Sequence, residues 1–228
     1  MLSKCIGIVS YFPNKEPLRT NRKLAFNNLL HILDTYFKLP IVIIAQNWRD
    51  EDFNLEYYSN AIKIYSYKVP LGVTGANVIL REKLLLENYD YFIHLDDDIN
   101  IICDKYTVDN YFNEIDSHPN MFGQLKKYQL CAISKYMLEI MNWDYIKDME
   151  SWRGEIWEDL AYINTWKTIY PNRFFKFTSG KVPKMDFGPS ENDPNTTWWD
   201  ESKNQSSIRK KTLKIIDDWI HYIGVRGY

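Results

Sequence analysis

Short apolar runs alternate with segments of helical periodicity along the first hundred residues. Continuous apolar runs are typical of strands buried on both faces, whereas strict alternation is typical of a half-buried strand. Strands are predicted at 5–12, 41–46, 62–67 and 91–95. Helices are predicted at 21–37, with Thr20 as the N-cap, and at 77–87. Strands that alternate with helices imply an α/β fold with a mostly parallel sheet and right-handed crossovers.

The second half of the chain is less regular. Helices are predicted at 108–115, 136–141, from 152 to about 168, and at 208–220, with strand material at 123–133 and a last strand at 174–177. The segment 178–207 is rich in Gly, Pro, Asn, Asp and Ser and contains Trp198 and Trp199. Structureless segments of this length in compact domains are usually functional loops or disordered. We expect a mobile lid, with a disordered surface insertion as the alternative.

Length and composition restrict the class of protein. A chain of 228 residues that is 45% apolar can build one substantial core, so a single domain over 1–228 is predicted. A net charge of −2 argues against a protein that mainly coats nucleic acid. Three cysteines without metal or framework spacing read as reduced thiols, and no stretch resembles a signal peptide or a membrane span. A cytoplasmic protein is predicted, in the host cytoplasm if it is phage-encoded.

Three consecutive carboxylates, Asp96, Asp97 and Asp98, follow the apolar strand at 91–95. An unpartnered buried charge costs several kcal/mol, so this acidic turn requires water, cations or a metal. Side chains alternate along a strand, so Asp96 and Asp98 should point to one side and Asp97 to the other. Oxygen ligands favour Mg²⁺ or Mn²⁺, which commonly bridge carboxylates to substrate phosphates. The pattern indicates a nucleotide substrate, and a solvated turn after an edge strand is the alternative.

Several motifs in a fixed order resemble a nucleotide-sugar-dependent glycosyltransferase of the GT-A fold. They are Gly72, Ala76-Asn77 and a helix ahead of the strand that ends in Asp-Asp-Asp, followed by Glu158-Asp159 at the start of a later helix. The resemblance covers about 5–177 and a downstream histidine. It implies a Rossmann-like, mostly parallel central sheet flanked by helices. The nucleotide-binding half would be 1–101, the acceptor half 102–177, the lid loop 178–207, and the closing helix and tail 208–228.

The resemblance assigns metal and donor contacts to the acidic turn. Asp98 would be the principal ligand of Mn²⁺ or Mg²⁺, Asp96 a ligand or a ribose contact, and Asp97 a ribose or donor-sugar contact. His221, the only histidine after His118, would supply a further metal ligand. A hydrogen-bonded packing histidine is the alternative. The chemistry requires such groups because the nucleoside diphosphate leaving group gains negative charge as the glycosidic bond breaks.

The Glu158-Asp159 pair matches the position of the general base in inverting members of the family. Asp159 would take the proton from the acceptor hydroxyl. Neighbours on a helix are about 100° apart, so Glu158 cannot face the same target as Asp159, whereas Glu155 can. An acidic first turn that complements the helix dipole is the alternative.

Nucleotide contacts are expected after the first strand and on the helix at 77–87. Ser10 and Tyr11, with the neighbouring Phe12, match the loop over which the base lies, and Asn77 matches an asparagine that an arginine often precedes. Here Ala76 stands in that arginine's place. Arg81, one turn later, could substitute for it, or could be an exposed helix arginine.

The implied function is a metal-dependent hexosyl- or pentosyltransferase that uses a nucleoside diphosphate sugar, with a UDP-sugar as the expected donor. The acceptor would be a glycan, a lipid-linked sugar or a hydroxymethylated DNA base, with Trp157, Trp198 and Trp199 as acceptor or lid residues. A DNA acceptor would use basic residues to hold phosphates. Those available are Lys126, Lys127, Lys181, Lys184, Arg209, Lys210 and Lys211. Nucleotidyltransferase and non-catalytic nucleotide-binding functions remain open, although 10–15 lacks the glycine-rich phosphate loop of the former.

Overall fold

The computed structural model describes residues 1–14, 16–49, 52, 55–69, 71–97, 99–125, 130–141, 158–187 and 205–225. Within these ranges, the side chains of 56, 72–74, 158–161, 186–187, 205–209 and 222–225 lie outside the description.

Strands and helices alternate through the first half of the chain, as the apolar pattern predicts. The strands are β1 (Lys4–Tyr11), β2 (Ile41–Gln46), β3 (Ile62–Tyr67) and β4 (Tyr91–Asp96). The helices are α1 (Leu18–Ile32), which continues as a π-helical turn at Leu33–Phe37, and α2 (Gly72–Leu86).

The second half adds shorter elements. In chain order they are β5 (Ile99–Ile102), α3 (Lys105–Asp116), β6 (Phe122–Gln124), β7 (Cys131–Ser134), α4 (Lys135–Ile140), α5 (Glu158–Ile169), β8 (Phe174–Lys176), β9 (Lys184–Phe187) and α6 (Gln205–Val225).

Seven of these strands form one mixed sheet in the order β3-β2-β1-β4-β7-β6-β8. β1, β2, β3 and β4 are parallel, β7 is antiparallel to both β4 and β6, and β8 is parallel to β6. The carboxyl ends of the four parallel strands therefore lie at one edge, which we call the carboxyl edge. The predicted α/β class with a mostly parallel sheet flanked by helices is confirmed.

Helices cover both faces of the sheet because its strands are apolar on both faces. On one face, α1 and α3 bury Phe26, Leu29 and Tyr111 against Ile6, Ile8 and Ile93. On the other face, α2, α4 and α5 bury Leu80, Met137 and Trp166 against Val9, Ile44 and Phe92. We call these the α1 face and the α2 face. Alternate residues of each strand reach opposite layers.

Close approach of neighbouring side chains explains two glycines. A Cβ on Gly7 of β1 would lie 2.9 Å from the Cδ1 atom of Leu84. A Cβ on Gly123 of β6 would lie 2.5 Å from the Cζ atom of Phe175 and 2.8 Å from the Phe177 ring. Gly123 therefore leaves room for the rings of Phe175 in the neighbouring β8 and of Phe177, the residue after it.

The structure corrects the predicted start of the first helix. α1 begins at Leu18, after Pro17, and Thr20 lies inside it rather than at its N-cap. The Glu16 carboxylate accepts both the Thr20 amide (3.2 Å) and the Thr20 hydroxyl (2.8 Å). Glu16 thus provides an acceptor for the Thr20 amide, which lies in the first turn of α1 and has no partner within the helix.

Two short strands were absent from the sequence prediction. β5 follows the acidic turn at once, and β9 lies inside the segment that was predicted to be a lid. They form a separate antiparallel pair. Phe174–Lys176 is therefore not the last strand, and the predicted lid is narrower than 178–207. The remainder of that segment, from 188 to 204, lies outside the described residues.

No helix among the described residues combines the length and the apolar character needed to cross a membrane.

Candidate functional site

The acidic turn lies at the carboxyl edge, beside the end of β1. Asp96 is the last residue of β4 and is the register partner of Val9. Ser10 and Tyr11 extend one and two residues beyond that pair, next to Ala45 and Gln46 of β2. Ligands of open parallel sheets bind outside the carboxyl ends of their strands.

Asp96 is half-buried and continues the α2 face of β4. His94 and Phe92, two and four residues earlier, belong to the same alternating set, and Phe92 packs in the α2-face core. Asp98 lies outside the described residues. The described residues include no group of three or more His, Cys, Asp or Glu side chains that could hold a metal. Mg²⁺ and Mn²⁺ are commonly held by one or two carboxylates plus substrate phosphates, and Asp96 is a side chain of the type that such an ion takes.

Asp97 turns to the α1 face, as the alternation predicts. Its side chain is 3% exposed. Oδ2 accepts the Ser10 hydroxyl and the Tyr11 amide, each at 2.8 Å, and Oδ1 accepts Nη1 of Arg22 at 2.8 Å. Asp97 therefore faces the protein interior rather than the rim of the edge, in contrast to the expected ribose or donor-sugar contact. Sequence reasoning did not identify Arg22.

The aromatic residues after β1 differ sharply in exposure. Phe12 is fully buried and stacks on Trp48, with ring centroids 5.3 Å apart and planes 14° apart. Tyr11 is 37% exposed and is the ring of the two that can meet a ligand. Trp48, absent from the predicted site, donates its Nε1–H to the Ser10 hydroxyl at 3.0 Å. The sequence feature that could have identified Trp48 is its place as an aromatic residue two positions after a buried strand.

A buried ion pair joins the loops after β1 and β2. Arg19 and Asp52 are paired at 2% and 3% side-chain exposure, and Arg19 also donates to the carbonyls of Pro13 and Asn47. Burial raises the pKa of Asp52. The Arg49 amide and the Lys23 and Arg19 cations outweigh that effect, so the pKa lies below its ordinary value. This network fixes both loops at the carboxyl edge.

Asn77 lies on α2 and is buried. Its Oδ1 lies 2.8 Å from Nε2 of His94, two residues before Asp96. The start of α2 is fixed separately, since the Leu71 amide donates to Oε1 of Gln46 at 2.7 Å. Asn77 is therefore tied to the acidic strand through His94.

Arg81 is committed to a different contact from the predicted one. Its Nε donates to the Leu138 carbonyl at 2.8 Å, and one Nη donates to the Glu139 carbonyl at 3.1 Å. Both carbonyls belong to the last turn of α4, which they help to hold against α2. Arg81 therefore does not replace the arginine that is missing at Ala76.

Strand pairings set the direction of β8 relative to β4. Phe174, the first residue of β8, lies beside Phe122 of β6. Phe122 pairs with Ile133 of β7, and Ile133 pairs with Phe92, the second residue of β4. β8 therefore starts at the edge of the sheet where β4 starts, opposite the carboxyl edge.

This direction orients α5. The helix ends at Ile169, and one short 3₁₀ turn leads to Phe174. A 12-residue helix rises about 18 Å, close to the roughly 20 Å of a six-residue strand. Because α5 packs on the α2 face through Tyr162 and Trp166, its N-terminal end, at Glu158, points to the carboxyl edge. The backbone of Glu158 and Asp159 is thus on the same face and toward the same edge as Asp96.

His221 is exposed near the C-terminal end of α6, which packs along α5. It belongs to no group of metal-ligating side chains within the described part of the chain. Trp157, Trp198 and Trp199 lie outside the described residues, as do Lys126 and Lys127. Lys181, Lys184, Lys210 and Lys211 are exposed. Lys210 and Lys211 are neighbours on α6, whereas Lys184 is on β9 and Lys181 precedes it.

The β5–β9 pair brings a distant segment to the acidic turn. Phe187 is the register partner of Ile99, and Lys184 is the partner of Ile102. Ile99 and Ile101 bury their side chains in the α1-face core. Phe187, the last residue described before the gap at 188–204, therefore lies beside the residue that follows Asp98.

Solved structures that resemble the chain include proteins named for sugar transfer. S. aureus TarS 1-349 in complex with UDP is 14% identical with a TM-score of 0.49, over 79% of this chain and 59% of that one. The glycosyltransferase GlyE of Streptococcus pneumoniae TIGR4 is 10% identical with a TM-score of 0.49, over 77% and 46%. GalNAc-T7 with UDP, GalNAc and Mn²⁺ is 15% identical with a TM-score of 0.39, over 54% and 22%.

The chain thus spans less than two thirds of the length of each of these three chains. No family model matches the sequence, and no curated protein matches it. At these identities the likeness concerns the fold alone.

Proposed function

We propose that the chain is a metal-dependent glycosyltransferase that moves a sugar from a nucleoside diphosphate sugar, with UDP as the expected nucleotide, to an acceptor hydroxyl. One observation carries the proposal. The end of β4 with Asp96 and the first turn of α5 with Glu158 and Asp159 lie toward one edge and one face of the sheet. The end of β4 and the start of α5, which are far apart in sequence, therefore lie toward the same part of the sheet.

The acidic turn would hold the diphosphate end of the donor. Asp98 and Asp96 are the proposed ligands of Mn²⁺ or Mg²⁺, with His221 as a proposed further ligand. When bound, the ion neutralises the charge that grows on the departing diphosphate. Carboxylates at a strand end suit this task because they supply hard oxygen ligands and leave positions for phosphate oxygens.

The nucleotide would lie over the ends of β1 and β2. Tyr11 offers its partly exposed ring to the base. Ser10 is buried and shared between Trp48 and Asp97, so we assign it to shaping this surface. Asn77, bound to His94, would shape the side of the site that α2 forms.

Asp159 would act on the acceptor. Its carboxylate takes the proton from the acceptor hydroxyl as that oxygen attacks the anomeric carbon, and the bond from that carbon to the diphosphate oxygen breaks. Glu158 is about 100° away on the helix and would contact a different part of the substrates. A base at this position lowers the cost of removing the hydroxyl proton.

Slow hydrolysis of the donor tests the proposal without knowledge of the acceptor. The chain is incubated with UDP-glucose, UDP-galactose, UDP-N-acetylglucosamine and their GDP counterparts. Each incubation contains Mn²⁺, Mg²⁺ or a chelator, and the released nucleoside diphosphate is measured. We expect release from at least one donor that requires the metal. A chain that binds these nucleotides but releases nothing would be a non-catalytic nucleotide-binding protein.

A further inference from the structure

A buried carboxylate links two parts of the carboxyl edge. Asp97 lies in the acidic turn, yet its side chain is 3% exposed. It accepts hydrogen bonds from the end of β1, through Ser10 and Tyr11, and from α1, through Arg22. The sequence separations are 87, 86 and 75 residues, so these contacts connect elements that the chain does not connect locally.

The donors are themselves oriented toward Asp97. Trp48 donates to the Ser10 oxygen at 3.0 Å, which leaves the Ser10 proton directed at the Asp97 carboxylate. The Tyr11 amide is fixed by the backbone at the end of β1. Arg22 is 24% exposed and also contacts the Tyr11 carbonyl at 3.5 Å. A carboxylate has about four acceptor positions, and Ser10, Tyr11 and Arg22 all donate to that of Asp97.

We propose that Asp97 is a positioning residue that joins the base side of the donor site, at Tyr11, to the metal side, at Asp96 and Asp98. This inference rests on the proposed function. Asp97 fixes the backbone of the acidic turn, so that its two neighbours present their oxygens to the metal diphosphate in one geometry. Asp97 itself does not touch the donor.

The hydrogen bonds to Asp97 are sensitive to the replacement of one carboxylate oxygen by an NH₂ group. In Asp97→Asn, one acceptor oxygen becomes an NH₂ group that faces either Arg22 or the Ser10 and Tyr11 donors. The residue at position 97 then loses at least one of its hydrogen bonds in either orientation of the amide. Arg22→Gln removes the positive charge from the other side, and Arg22→Lys keeps the charge with a different geometry.

Another, partly buried ion pair supplies a matched control. Lys4 and Asp116 lie 2.6 Å apart with side chains 3% and 22% exposed, at the start of β1 rather than at its end. Asp116→Asn therefore also breaks a partly buried pair on β1, at the opposite edge of the sheet from the acidic turn.

The test measures binding of UDP with Mn²⁺ by titration calorimetry, with GDP as the second nucleotide, together with thermal midpoints. We expect Asp97→Asn and Arg22→Gln each to weaken binding at least tenfold, and the double variant to lose little more, because both break one contact. Arg22→Lys should recover part of the loss. Asp116→Asn should lower the midpoint yet leave the affinity within about twofold.

Deoxynucleotides separate positioning from direct contact. If Asp97 acts through the turn, Asp97→Asn weakens UDP, 2′-deoxy-UDP and 3′-deoxy-UDP by the same factor. A loss confined to ligands that carry the ribose hydroxyls, or an unchanged affinity in Asp97→Asn and Arg22→Lys, would overturn the inference. Absence of metal-dependent binding to the unaltered chain would overturn the proposed function, and this inference with it.

Discussion

Arg81 on α2 donates its Nε–H to the Leu138 carbonyl at the end of α4, at 2.8 Å. With the second contact to the Glu139 carbonyl, the guanidinium satisfies two carbonyls of the last turn of a six-residue helix. Such carbonyls have no partners within their own helix. Arg81 is thus part of the packing of α4 on α2.

Removal of Arg81 should affect stability and leave ligand binding intact. In Arg81→Ala we expect the free energy of unfolding to fall by about 1–2 kcal/mol, because two charge-assisted hydrogen bonds are lost at a partly exposed site. The affinity for UDP with Mn²⁺ should stay within about twofold of that of the unaltered chain. Glu82→Ala, an exposed neighbour on the same helix, is the control for both measurements. A tenfold weaker nucleotide affinity in Arg81→Ala but not in Glu82→Ala would indicate that Arg81 contacts the phosphates after all.

Asp159 should control the chemical step and not the binding of the donor. In Asp159→Asn we expect kcat for release of the nucleoside diphosphate to fall about 100-fold or more, since a general base typically contributes that much. Calorimetry should give an unchanged affinity for UDP with Mn²⁺. Glu158→Gln, its neighbour on α5, should have a smaller effect on kcat. Hydrolysis at the unaltered rate by Asp159→Asn would exclude it as the base.

Gly123 should be less tolerant of a methyl group than Gly7. The new Cβ at Gly123 would lie within 2.8 Å of two phenylalanine rings, whereas at Gly7 it meets the flexible tips of Leu84 and Leu80. We expect Gly123→Ala to lower the free energy of unfolding by about 1–3 kcal/mol, as overpacking does, and Gly7→Ala to lower it less. Urea denaturation measures both. Equal losses would contradict the packing described for β6 and β8.

Asp52 should make the stability of the chain sensitive to acid. Its pKa in the folded protein lies below its ordinary value, so its contribution to stability is present above the ordinary pKa and is lost as the pH falls through the folded pKa. We expect the free energy of unfolding of the unaltered chain to fall more steeply below about pH 4 than that of Asp52→Asn. Asp109→Asn, whose carboxylate is 53% exposed, should follow the unaltered chain. Parallel curves for all three proteins would contradict the assignment.

The sequence predicted those parts of the fold that local patterns encode. β1, β2 and β4 were predicted because short, mostly apolar runs of this kind are stable only when both of their faces are covered. The orientation of Asp97 followed from the two-residue period of a strand. In each case the physical cause acts within a few residues.

The remaining features depend on partners that are distant in sequence. β5 and β9 each have four residues. Segments this short are too short to be identified as strands from sequence, and they become strands only through pairing such as that of Phe187 with Ile99. Arg22 appeared to be one of several basic residues on a helix, and only its contact with Asp97, 75 residues away, distinguishes it. The direction of α5, which brings Glu158 toward the acidic turn, required the register of the whole sheet.

The most direct test of the central claim is the thermal midpoint of the chain with each nucleoside diphosphate, with and without Mn²⁺. A ligand that binds only the folded state raises its stability. We predict a clear rise with UDP or GDP that requires Mn²⁺ and is abolished in Asp98→Ala and in Asp96→Ala. An unchanged midpoint with every pair of nucleotide and metal, or an equal rise in both variants, would show that no donor site of this kind exists at the end of β4.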